Sequence, residues 1–178
     1  MLPEANPKSG TVRFIDRRPV ALWLSVGLYV AACFLPALLF HTGGYIYGRD
    51  MVASWRWEGH ESLRGVQLLF TGWFGLMLGN FAVLANPALW LSWLLFGARH
   101  YRAASISSAA ALLIAMLTFQ LLIRPYYFDE AGARRGFLES PEIGFVCWLA
   151  SMALILSSSI RTRRSTSSEP STTRSTRI

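Results

Sequence analysis

Residues 66–96 read VQLLFTGWFGLMLGNFAVLANPALWLSWLLF, 31 residues without a charged side chain. A helix needs about 20 apolar residues to cross the hydrocarbon core of a bilayer. The stretch is long enough to span, with residues to spare. Its three glycines, two asparagines and one proline are unusual contents for a plain anchor. Pro87 lacks a backbone donor and disfavours helical geometry at Asn86. The sequence therefore predicts one crossing over 66–85 and a kinked interfacial extension over 88–96 carrying Trp90 and Trp93. At about 1.5 Å per residue, that remainder is too short for a second crossing.

Working outward, three further blocks lack charge: 20–40, 106–123 and 143–160. The chain is 53% hydrophobic and 15% charged, against about 25% charged for a soluble domain. The pattern predicts an all-α membrane protein of four transmembrane helices. Residues 1–19 form a polar arm. The connection 41–65 holds Gly43-Gly44, a helix breaker, and reads as a loop on the membrane surface, with Trp55 and Trp57 among the headgroups. A second longer loop covers 124–142. The tail over 161–178 is a low-complexity Ser/Thr/Arg segment that cannot bury enough surface to fold alone.

The net charge of +7 is distributed as a topology signal, not as a nucleic-acid footprint, and no nucleic-acid partner is expected. One set of alternate connections carries 11 basic residues and the other six. Lysine and arginine concentrate on the cytoplasmic side, so both termini are expected inside and the two aromatic loops outside. Arg99, Arg102, Arg161, Arg163 and Arg164 are then basic residues facing the lipid headgroups. Each contributes about 1 kcal/mol beside an anionic leaflet. Cys33 and Cys147 lie within apolar blocks and make no disulfide framework. Val30-Ala31-Ala32-Cys33 resembles a lipoprotein cleavage box, but the chain stays apolar beyond it, so a retained helix is expected.

Gly72, Gly75, Gly79, Ala82 and Asn86 recur at spacings of three and four and share one helical face. Gly75 and Gly79 make a GxxxG, and small residues let membrane helices approach closely. The face suits either a neighbouring helix (Ser108, Ala111, Ala115) or a homo-oligomer or partner subunit. Asn80 and Asn86 are polar groups at membrane depth, where an interhelical hydrogen bond to the intramembrane Thr118 or Gln120 is expected and a substrate or ion pathway is the alternative. His41, His60, Glu61, Asp129 and Glu130 share the outer side, but none has metal-ligand spacing, and a solvated loop is expected. No catalytic, cofactor or metal residue is predicted, and no phosphate loop or G-x-S-x-G motif is present.

The segment GWFGLMLGNFAVLANP (72–87) resembles a stretch of small uncharacterised bacterial inner-membrane proteins, with Gly-Trp near the start of a span and Ala-Asn-Pro near its end. The resemblance implies a bacterial inner membrane and nothing about activity. The expected function is non-enzymatic: an accessory subunit or partner-binding protein of a membrane complex, acting by helix–helix association. A small oligomeric channel, exporter or holin-like pore is one alternative. A membrane enzyme with an outer-face site built on His41, His60, Glu61 and Asp129 is another.

Overall fold

The structure, a computed structural model, describes residues 18–47, 53–128 and 134–167. The arm over 1–17, the tail beyond 167, and Asp129 and Glu130 lie outside the described residues.

The described residues form five helices and a sheet: α1 Arg18–Phe34, β1 Pro36–Tyr47, β2 Ala53–Arg64, α2 Gly65–Met77, α3 Ala85–Gly97, α4 Tyr101–Ala115, β3 Tyr126–Tyr127, β4 Arg134–Pro141 and α5 Ile143–Ser167. Two 3-10 segments, Phe81–Leu84 and Met116–Leu122, lead into α3 and extend α4. This corrects the all-α expectation of four transmembrane helices. The connections read as surface loops supply a four-stranded antiparallel sheet of order β2-β1-β4-β3. Two helical stretches, Tyr101–Leu122 and Ile143–Ser165, are long and apolar enough to cross a membrane. The other apolar helices run 10–17 residues.

Local chemistry explains the strands. Trp55-Arg56-Trp57-Glu58 alternates apolar and charged side chains, the period-2 signature of a strand with two different faces. Aromatic residues also favour the pleated surface. Gly43-Gly44 does not end the strand. A Cβ on Gly43 would lie 2.8 Å from the Trp55 ring, so glycine lets the indole rest on the neighbouring backbone. The β1–β2 ladder shifts register between Thr42 and Gly43, and Gly59 opposite has φ 142°, a bulge that needs glycine.

The stretch 66–96 divides at Gly79-Asn80. The Asn80 N–H donates to the Gly75 carbonyl (2.8 Å) and the Gly79 N–H to that of Leu76 (3.2 Å). Gly79 has φ 83°. This is a Schellman stop, with glycine in the left-handed conformation just past the helix. α2 therefore has 13 residues, about 20 Å of helix, too little for a 30 Å hydrocarbon core. Pro87 lies in the first turn of α3, where backbone N–H groups need no helical partner. It helps begin a helix where the sequence reading had it end one.

α1 and α5 run antiparallel. The Ser25 hydroxyl donates to the Ser151 carbonyl (2.7 Å), while Gly144 packs on the Leu35 and Pro36 carbonyls at the other end. Phe119, beyond α4, meets Phe145 at 5.7 Å, so α4 and α5 are also antiparallel. The interior of this helical layer mixes a few large side chains (Leu89, Phe96, Met152, Ile155) with many small ones. Ala85, Ala104, Ala111 and Ala115 are fully buried, as are Ser25, Ser92, Ser108, Ser151 and Ser159. Other large apolar side chains point outward: Trp23 is 70% exposed, Phe70 72%, Met77 88% and Leu113 72%. Small residues at helix contacts let backbones approach closely. Only 28% and 33% of the two long apolar windows is buried, whereas a core helix of a soluble protein is mostly covered.

The sheet closes one end of the helical layer. Its inner face sets Leu38, Phe40, Leu63, Tyr126 and Leu138 against Leu121 and Phe145. Trp148 and Leu149 border both this cluster and the helical one. α2 lies along the junction: Gly65 abuts Ala32 and Cys33 at the end of α1, and Gly79 faces the Arg124 guanidinium.

Candidate functional site

Pairing across β2, β1 and β4 gathers one outward-facing surface. His41 sits opposite His60 on one side and Phe137 on the other. Trp57 lies opposite Gly43, and Trp55 opposite Tyr45. Partners directly across a ladder project to the same face, so these side chains form one row. Trp55 meets Tyr45 at 5.1 Å and Trp57 at 5.7 Å, and Trp57 meets His41 at 4.4 Å between ring centroids. Trp57 stays 50% exposed and Tyr45 42%. Arg135 adds a cation over the Tyr45 ring at 5.7 Å and over the Tyr127 ring at 5.3 Å.

At one end of the row is a polar cluster. His60 Nδ1 lies 2.6 Å from Glu139 Oε2, and the His41 and His60 rings are 4.9 Å apart. One ligand-type atom from each of His41, His60 and Glu139 falls within 4.8 Å of the others. Glu61 turns elsewhere and pairs with Arg134 at 2.8 Å, and Arg134 also reaches Glu58 at 3.2 Å. Of the outer-face residues named from the sequence, His41 and His60 come together and Glu61 does not join them. Glu139 was not among the named candidates. The signal for it is cross-strand register, which exists only once the strands are paired.

The predicted helix-packing residues take up separate positions. Gly72 packs on Val83, and Gly75 on the Asn80 side chain. Gly79 lies in the turn, and Ala82 in the 3-10 segment. The Asn80 side chain accepts from the Ala82 N–H at 3.2 Å and so caps that segment. Asn86 accepts from the Trp148 indole at 2.9 Å. Thr118 lines a cavity of about 90 Å³ together with Asn80, Asn86 and Trp148. Gln120 lines an open groove beside α2 with Arg124 and Tyr126. Tyr126 donates to the Thr71 hydroxyl at 2.6 Å. Burial pushes the Tyr126 phenol above its ordinary range, and the Thr71 bond partly offsets this.

Of the predicted interfacial aromatics, Trp55 and Trp57 lie on the sheet. Trp90 is 38% exposed on α3, and Trp93 donates to the Ser25 hydroxyl at 2.9 Å inside the helical layer. Arg99 and Arg102 flank the start of α4, and Arg161, Arg163 and Arg164 sit in the last part of α5. All five are exposed. Comparison of the chain with protein-family models, with curated proteins and with solved structures finds no match.

Proposed function

We propose that this chain is a non-enzymatic, membrane-embedded partner-binding protein, an accessory component of a membrane complex, with the outer face of its sheet as the recognition surface. The observation that carries the reading is the half-exposed Trp57 in a continuous aromatic row, set at the end of an apolar helical layer. Exposed tryptophan and tyrosine are the side chains that contribute most where proteins meet. They present large rigid area at little entropic cost.

In this reading the helical layer sits in a bacterial inner membrane, with Tyr101–Leu122 and Ile143–Ser165 crossing it. The sheet lies at the outer surface. Arg99, Arg102, Arg161, Arg163 and Arg164 face the cytoplasmic headgroups, in keeping with the positive-inside rule. The contact expected from the sequence through Gly75 and Gly79 is taken up within the chain, so association moves to the sheet. The test is photo-crosslinking in native membranes from a probe replacing Tyr45. A discrete adduct to another membrane protein is expected, and Trp57→Ser should abolish it. A chain that gives no adduct and purifies as a lone monomer overturns the reading.

A further inference from the structure

We propose that His41, His60 and Glu139 form a binding site for a first-row divalent transition-metal ion of the zinc class. The three residues come from three adjacent strands in the order β2-β1-β4. His60 and Glu139 arch over the middle strand to meet at 2.6 Å, with the His41 ring beneath, 4.9 Å from that of His60. Their ligand atoms lie within 4.8 Å of one another. Ligands about 2.1 Å from a tetrahedral zinc are roughly 3.4 Å apart, so rotation of the exposed His60 and Glu139 side chains toward the half-buried His41 closes the gap and the backbone need not move.

The donor set selects the ion. Two imidazole nitrogens and one carboxylate oxygen suit zinc, cobalt, nickel or copper. Calcium needs six or more oxygens, and magnesium a near-ideal octahedron of them. With three protein ligands on an exposed face, the remaining coordination position opens to solvent, the arrangement of sites that take an exchangeable ligand. His60 and Glu139 also make a hydrogen-bonded pair without any metal, and that pair alone is the competing account. The aromatic row does not depend on the site, so this proposal and the partner-binding reading can fail separately.

The test uses the full chain in nanodiscs, stripped with a chelator and titrated calorimetrically with zinc chloride. One ion per chain is expected. Glu139→Gln keeps the hydrogen bond to His60 but removes the anionic ligand. It and His60→Ala should each weaken binding by about 10-fold or more. His100→Ala should leave binding unchanged. On the unmutated chain, zinc should shield His41 and His60 from diethyl pyrocarbonate while His100 stays reactive. Binding that is absent, that stays at the level of the unmutated chain in Glu139→Gln or His60→Ala, or that leaves the two histidines unprotected overturns the proposal.

Discussion

Single residues in this chain are constrained by what a few atoms meet. A Cβ on Gly65 would lie 2.2 Å from the Ala32 carbonyl oxygen and 2.9 Å from its carbon. These are backbone atoms that a rotamer change cannot clear. Gly65→Ala should therefore destabilise the chain by about 1–3 kcal/mol, the range for overpacking, read from chemical unfolding in detergent. Arg99 is the opposite case. It has φ 63° at the end of α3, where its N–H donates to the Phe96 carbonyl at 3.1 Å. A left-handed residue with a side chain costs roughly 1–2 kcal/mol. Arg99→Gly should raise stability by about 1 kcal/mol, and an unchanged or lower midpoint would refute the strain argument.

At the scale of elements, α2 and α3 are short because each is stopped by a local signal. The Schellman turn at Gly79-Asn80 separates them, and the 3-10 segment Phe81–Leu84 redirects the chain. Pro87 then falls in the first turn of α3, where proline is tolerated. Pro87→Ala should shift stability by less than about 1 kcal/mol, whereas proline inside a helix costs about 3 kcal/mol or more. A large change in the thermal midpoint of this variant would restore the kinked-span reading. The sheet's edge is managed by composition. β2 is an edge strand carrying Arg56, Glu58, Glu61 and Arg64, and charged edges resist pairing with other chains.

For the whole molecule, the two surfaces should meet different solvents. Trp23 on α1 is 70% exposed among apolar neighbours, and Trp57 on the sheet is 50% exposed beside His41. Chains retaining a single tryptophan, reconstituted in lipid, should separate cleanly. Brominated acyl chains should quench Trp23, and aqueous acrylamide should quench Trp57. Equal acrylamide quenching of both would place the helical layer in water and remove the membrane reading.

The sequence by itself determined the apolar character of the helical segments, because that is a sum over composition and needs no partner. It also held the stop signals at Gly79-Asn80 and the alternation at Trp55–Glu58. Glycine spacing and a Gly-Gly pair, however, carry two meanings locally. Gly75 and Gly79 suit a helical seam or a helix end, and Gly43-Gly44 suits a loop or a strand crossed by an indole. The choice at Gly79 is local, made by the turn that sets the Asn80 side chain against Gly75, but only tertiary structure decided Gly43-Gly44, through the ring of Trp55 laid over Gly43. The His41, His60 and Glu139 cluster was decided in the same way. Its members are up to 98 positions apart in the chain, and only strand pairing, a non-local interaction, brings their side chains to one face.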